Sequence, residues 1–203
     1  MLRVSSDLVP GLDGRQRCPW ALATEQMCAY HDEEWAQPVR GDRALFERLC
    51  LEAFQAGLSW RIVLERREGL RMAFAGFDPE VVRCFGPAQV EELLSDARVI
   101  RNRAKIAAVI SNAQVLVRLH EAMGVGALEE IIWSRHEAGR DRPSTLEEIP
   151  GSTPASTGLA KQLRSLGFRF VGPTTAYALM QATGVVDDHL VGCCAARPLG
   201  SGV

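Results

Sequence analysis

Residues 156–184 read STGLAKQLRSLGFRFVGPTTAYALMQATG, and this stretch decides the fold. Ser156 is placed to cap a helix running to Leu166, and the glycine-bounded run GFRFVG at 167–172 makes a tight turn. Pro173, whose fixed φ suits a helix start, begins a second helix that reaches Thr183 and ends at Gly184. The same signals continue upstream. Asp42 is placed to cap a helix through Ala56, Ser59 one through Ala73, and Asp78-Pro79-Glu80 opens a third that Gly86-Pro87 breaks. Ile106, Val109, Ile110, Ala113, Leu116 and Val117 form an apolar stripe at helical period on a long helix from Arg101 to Met123. Another helix spans Ala127 to Glu137, followed by a proline-broken connection over 140–156, and Asp187-Asp188 opens the last helix. No stretch shows sustained strand-like alternation, so the expected fold is all-α, with about eight to ten short helices.

The hairpin at 167–172 carries a functional suggestion. At the first turn of the second helix the N–H groups of Val171, Gly172 and Thr174 lack helical acceptors and are backed by the positive helix end, which suits a phosphate oxygen. Pro173 has no N–H and only shapes the turn. Lys161, Arg164 and Arg169 flank the element and add positive charge. Helix, hairpin and helix together suit DNA binding without base readout; an ordinary pair of antiparallel helices with a glycine turn has the same local pattern.

The chain of 203 residues is 47% hydrophobic and 24% charged, which excludes disordered and collagen-like classes. It is long enough to bury a core without disulfides. We expect one domain over 17–194 in two lobes, the middle segment about 61–150 forming one and the N-terminal segment with 151–194 the other. Residues 1–16 and 195–203 read as loose ends. A net charge of −2 argues against a general polyanion-coating protein. No run approaches the ~18 apolar residues of a spanning helix, and no basic-then-apolar leader is seen, so the expectation is a soluble, cytoplasmic monomer with no membrane partner. In that reducing compartment the six cysteines are thiols or metal ligands and not disulfides.

His189 and Cys193, spaced i, i+4, would share one face of the final helix, and Cys18 with His31 supplies a second pair. A Cys2His2 set closes a tetrahedron, the pattern of structural zinc with no open position for water. Such an ion would clasp the two chain ends together. Cys194, at i+5, points about 100° further round that helix and is the poorer ligand. Taken singly, each of the four is equally a core histidine or a buried thiol.

Glu52 is anomalous. It falls on or beside the apolar stripe of its helix, three residues after Leu49 and four before Ala56, where an unpaired carboxylate is costly. Either an arginine pairs with it, or it faces a cationic ligand. Trp20, Tyr30, Trp35 and Trp60 lie nearby in a chain only 6% aromatic, offering π-faces to a flat cation or, equally, packing the core.

Taken together, RCPW (17–20), AYHDEEW (29–35), LEAFQAGLSW (51–60), RNRAKI (101–106), LEEIP (146–150) with STPAS (152–156), GFRFVG (167–172) and DDHLVGCC (187–194) resemble the 3-methyladenine DNA glycosylase I family of the helix-hairpin-helix glycosylases. The resemblance covers residues 17–194. It implies a repair enzyme that flips N3-methyladenine out of alkylated double-stranded DNA and hydrolyses its glycosidic bond, leaving an abasic site. It implies Cys18, His31, His189 and Cys193 as structural zinc ligands, Glu52 as the residue that recognises the damaged base, and Tyr30 and Trp60 as pocket residues that bond to it or stack on it. Trp20 and Trp35 fall near that pocket. A monofunctional hydrolase is expected, since the only lysines, Lys105 and Lys161, lie outside the pocket motifs. The competing expectation is a catalytically silent module that binds DNA. Three departures stand out: Met27 where relatives often carry tyrosine, Ala53 and Ala104 where they often carry glycine, and Asp187 where asparagine is common. Asp187 is open to two readings, a catalytic aspartate that broadens the lesion range or a plain helix cap.

Overall fold

Helix α6, Arg103–Met123, runs through the molecule, and the apolar stripe read from the sequence is its buried face, with Ile106, Ala113 and Leu116 fully covered. Asn102 caps it through a hydrogen bond from the Lys105 amide, so the helix starts two residues later than Arg101. The computed structural model describes residues 5–137 and 139–197. Among them the other helices are α1 (Glu25–Glu33), α2 (Asp42–Gln55), α3 (Trp60–Ala73), α4 (Pro79–Val82), α5 (Pro87–Ser95), α7 (Ala127–Trp133), α8 (Pro154–Ser165) and α9 (Pro173–Ala182). No helix of the described residues is long and apolar enough to cross a membrane.

Helix α2 is the central element. It packs against α3, α6, α7 and α9, and buries Leu45, Phe46, Leu49, Leu51 and Phe54. Each such side chain withdrawn from water contributes about 1.5–3 kcal/mol. Asp42 is fixed differently from expectation. Gly41 is the N-cap of α2, and the Asp42 carboxylate instead accepts from the amides of Gly126, Leu128 and Glu129, capping α7, while meeting His120 Nε2 at 2.7 Å. Helix α5 follows the Gly86-Pro87 break, with Pro87 restarting a helix at its first position. Helix α7 ends at Trp133, short of Glu137.

Helices α8 and α9 form the hairpin expected at 156–184, with one shift of cap. Thr153, not Ser156, is the N-cap: its Oγ1 accepts from the Ser156 amide at 3.1 Å while Ser156 Oγ accepts from the Thr153 amide at 2.9 Å. Pro154 fills the first helical position, so the helix gains a turn. Two turn residues are left-handed, Gly167 at φ +103° and Phe170 at φ +57°. A Cβ on Gly167 would stand 3.3 Å from Val115 Cγ2 on α6, so glycine serves both the angle and the close approach. Asn112 of α6, fully buried, pins the turn by accepting from the Arg169 amide (2.7 Å) and donating to its carbonyl (3.1 Å).

Two expectations fail. Residues 187–197 are extended and turn structure, not a helix, because Asp187 and Asp188 spend their carboxylates on Arg142 and Arg140, some 45 residues back in the chain, His189 Nδ1 bonds back to Asp187, and Gly192 adopts φ +93°. The N-terminal segment is not loose over its described part. Val9–Pro10 (β1) pairs antiparallel with Gln16–Arg17 (β2), and the Ser5 amide donates to Val191 O. The buried Arg17 guanidinium holds this segment down, bonded to Asp13 and Asp32 at 2.7–3.1 Å. Of the tail, 198–203 lie outside the described residues, whereas Arg197 donates to Gly184 O.

Candidate active site: an aromatic cleft beside a cysteine and histidine cluster

A cleft of about 510 Å³ opens between α1, the start of α3 and α9, with Glu52 of α2 in its lining. Met27 and Tyr30 come from α1, Trp20 from the 3-10 turn before it, Trp35 from the loop after it, Trp60 and Arg61 from α3, and Ala178 and Gln181 from α9. All five residues assigned to a base pocket from the sequence, Glu52, Tyr30, Trp60, Trp20 and Trp35, therefore share one cavity. Gln55, Arg61 and Gln181 were missed. Gln181 follows Tyr177 by four residues on α9, a helical spacing that the sequence displays without indicating what it faces.

Glu52 is 4% exposed, its Oε2 is buried with no hydrogen-bond partner, and no ion pair reaches it among the described residues. Burial pushes its carboxyl up to about 8, and the charge of Arg48 only partly opposes this. The arginine-locked alternative is thus overturned: Arg48 pairs instead with Glu34 (2.9 Å), which Arg67 also grips through both terminal nitrogens at 2.6 and 2.8 Å. The rings of Tyr30 and Trp60 stand 5.1 Å apart at 43°, and Trp60 Nε1 is a second buried polar atom without a partner. An acceptor and a donor left unsatisfied in one cavity cost stability in the free protein and are poised for a ligand that supplies both. The Tyr30 hydroxyl is held protonated far above neutral pH by burial and by the charge of Glu52.

Behind the cleft, one ligand atom each from Cys18, His31 and Cys193 lies within 4.8 Å of the others, all three residues buried. Cys193 Sγ is 3.4 Å from His31 Nε2. His189 stands beside them, its ring centroid 4.8 Å from that of His31 and its Nε2 buried without a partner. Each ring is oriented through its other nitrogen: His31 Nδ1 meets Asp32 at 2.8 Å and His189 Nδ1 meets Asp187 at 2.7 Å. Arg17 secures Asp32 and Arg142 secures Asp187. Hydrogen bonds from Cys18 and His31 draw the Cys193 thiol well below its ordinary range, favouring one thiolate in the cluster. No helix carries His189 and Cys193: the chain is extended and then turns, with the Cys193 amide bonded to Leu190 O, so the i, i+4 spacing sets no shared helix face. Cys194 lies outside the cluster, its amide bonded to Gln16 O.

The helix-cap reading of Asp187 fails. No helix follows it to cap, it is absent from the cleft lining, and its carboxylate is engaged by His189, Arg142 and the Arg197 amide. The neighbouring Asp188, fully buried, takes Arg140 Nη1 at 2.5 Å, the Tyr177 hydroxyl at 2.6 Å and Gln181 Nε2 at 2.8 Å. Lys105 donates to the carbonyls of Phe54 and Ala56 at 2.8 and 2.6 Å, closing the end of α2 and leaving the cleft without a lysine in its lining. At the hairpin, the Val171 and Gly172 amides donate to no acceptor among the described residues, Thr174 is exposed in the first turn of α9, and Lys161 and Arg169 are exposed beside it.

A mostly helical frame enclosing an unpaired acid in a cage of aromatic rings defines the class, and comparison with known proteins places it. The family model described as methyladenine glycosylase matches residues 20–196, and the chain belongs to that family. It is 44% identical over 181 residues to DNA-3-methyladenine glycosylase 1 of Escherichia coli (strain K12), covering 88% of this chain and 96% of that one. A crystal structure of 3-methyladenine DNA glycosylase I (TAG) superposes with a TM-score of 0.85 at 42% identity, covering 90% of this chain and all of the other. The enzyme of that name from Staphylococcus aureus, solved to explain 3-methyladenine recognition, superposes with a TM-score of 0.81 at 29% identity, over 88% and 96% of the two chains.

Proposed function

We infer that this chain is a DNA-3-methyladenine glycosylase, a hydrolase of N-glycosyl bonds that removes the alkylated base from duplex DNA. The single observation that carries the reading is the buried, unpartnered carboxylate of Glu52 in the wall of an aromatic cleft, in a chain of this family. Methylation at N3 gives adenine a formal positive charge, so the glycosidic bond is already weakened and the base departs neutral. Acid catalysis has little left to contribute. The protein must extrude the nucleotide, capture the base and admit water to the anomeric carbon. Water oxygen bonds to that carbon, the glycosidic electron pair leaves with the base, and the surplus proton passes to solvent.

In this reading Glu52 accepts from the amino group of the base and balances its charge, while Tyr30 and Trp60 bond to it or stack on it. Trp20 and Trp35 wall the cleft. Unmodified adenine brings no charge to offset the desolvated carboxylate and is rejected. The amides of Val171, Gly172 and Thr174, helped by Lys161, hold a phosphate in the manner of a helix-hairpin-helix. All parts of the site come from one chain, so a monomer suffices.

Cys18, His31, His189 and Cys193 fit a structural zinc ion. The donor set is two sulfurs and two imidazole nitrogens, both rings already fixed at Nδ1 by carboxylates, and the buried orphan Nε2 of His189 supplies the fourth position. Such an ion would join the N- and C-terminal segments, and no catalytic step passes through it.

The test is base release from methylated duplex. Wild type is expected to liberate free 3-methyladenine and a folded Glu52→Gln variant to release it far more slowly. Retained DNA binding with no release by wild type would indicate a silent binding module and overturn the assignment.

A further inference from the structure

We propose that Arg48 is a positioning residue for base capture: one turn before Glu52 on α2, its guanidinium lowers the cost of ionising the carboxyl group that a cationic purine selects in its charged form. The inference rests on the reading of Glu52 given above and deepens it. The two residues are spaced i, i+4 and so share a face of the helix. Arg48 Nη1 and Glu52 Oε2 are both buried without a hydrogen-bond partner, yet no ion pair within 4.0 Å joins them. The reason is Glu34 of α1, which holds Arg48 Nη2 at 2.9 Å and is itself gripped by Arg67 of α3 at 2.6 and 2.8 Å. Arg67 also meets Glu68 at 3.8 Å, and Glu68 and Glu47 hold Arg71, so the wider network is neutral and the charge that reaches the acid is that of the Arg48 guanidinium itself. A closed ion pair would satisfy both orphans but would occupy the lone pairs that the base needs. Clamped by Glu34, Arg48 lends its field without taking them.

The other groups facing Glu52 do not serve this purpose. From α1 come Tyr30, held protonated, and Glu34, already paired; from α3 come Arg67, spent on Glu34, and Arg61, exposed at the cleft mouth; from α9 comes Gln181, uncharged and tied to Asp188, which Arg140 neutralises. Arg48 is accordingly the charge that opposes burial at Glu52.

The experiment is kcat/KM for release of 3-methyladenine from methylated duplex as a function of pH, with wild type, Arg48→Met, Arg48→Lys and Glu52→Gln. Wild type is expected to gain activity with rising pH as Glu52 ionises. Arg48→Met is expected to move this limb up by about one pH unit, about a tenfold loss at neutral pH, and to rejoin wild type at alkaline pH. Arg48→Lys is expected to restore the limb. Should Arg48→Met fail to fold, Arg48→Gln, which keeps a donor for Glu34, carries the same expectation. An unmoved limb, or a loss equal at every pH, overturns the role of Arg48 alone. If Glu52→Gln keeps wild-type release, the reading of Glu52 itself fails.

Discussion

Trp35 and His189 stand edge to face with ring centroids 4.6 Å apart, and Trp35 also meets Trp20 edge to face at 5.0 Å while lining the cleft. One indole thus joins the cysteine and histidine cluster to the wall of the base site. A metal ion in the cluster would fix His189 and, through Trp35, the cleft. We expect purified protein to carry about one zinc per chain by elemental analysis. His189→Ala should lose the metal and lower Tm by roughly 5–10 °C, the effect of about 3 kcal/mol on a chain of this size. Tryptophan fluorescence should change with metal removal. A metal-free protein of equal stability would contradict the clasp.

Glu52 makes stability depend on pH in a direction opposite to the usual carboxylate. Its folded value, about 8, lies above the ordinary 4.5, so the folded state holds a proton that the unfolded state has released between these limits. Stability from this group is fully present below about pH 4.5 and is lost as pH rises through about 8. Glu52→Gln removes the penalty. Melting curves should show the variant about equal to wild type near pH 4.5 and more stable by about 5 kcal/mol at pH 9, even as base release is lost. A variant less stable than wild type at alkaline pH would mean that the carboxylate supports the fold and is not held against it.

Asp188 ties three groups to one buried carboxylate, and its loss should reach the cleft through Gln181. Asp188→Asn leaves the Arg140 charge uncompensated and misplaces a donor against Gln181 or Tyr177. Urea denaturation should show a loss of about 3 kcal/mol. With Gln181 unmoored, KM for methylated duplex should rise more than kcat falls, because the side chain borders the bound base and is not placed on the reacting bond. Equal loss in both would argue against that reach.

Local signals carried most of the frame. The stripe on α6, the prolines opening α4 and α9, and the glycines at 167 and 184 all act within a few residues, and there the sequence is legible. Glu52 was legible as an acid on an apolar face. What failed was decided across the molecule. Asp42 looks like a cap for its own helix, but its acceptors serve α7, some 84 residues away. Asp187-Asp188 looks like a helix start, but Arg142 and Arg140 hold both carboxylates and keep the chain extended. Val9–Pro10 is too short to show alternation, and the buried Arg17 that anchors it finds Asp32 only in the folded chain. The pairing of His189 with Cys193 rests on helical spacing in the sequence, and that spacing does not apply, since extended and turn structure and not a helix carries the two residues.

Asn112 offers a way to separate DNA grip from chemistry. It is a fully buried amide in the apolar face of α6, and both of its polar atoms are used on the backbone of Arg169, two residues before the amide of Val171. Phe170, between them, holds a left-handed backbone that a side chain rarely adopts, a strain of about 1–3 kcal/mol that these bonds help to maintain. In Asn112→Ala the Arg169 N–H and C=O are left buried or must move to water, so the hairpin loosens where it would meet phosphate. A phosphate grip is blind to sequence and damage, so affinity should fall about equally, roughly tenfold, for methylated and unmodified duplex. Measured by fluorescence anisotropy at one salt concentration, that loss should leave single-turnover release at saturating enzyme near wild type. A loss confined to methylated DNA would place Asn112 with the base site instead.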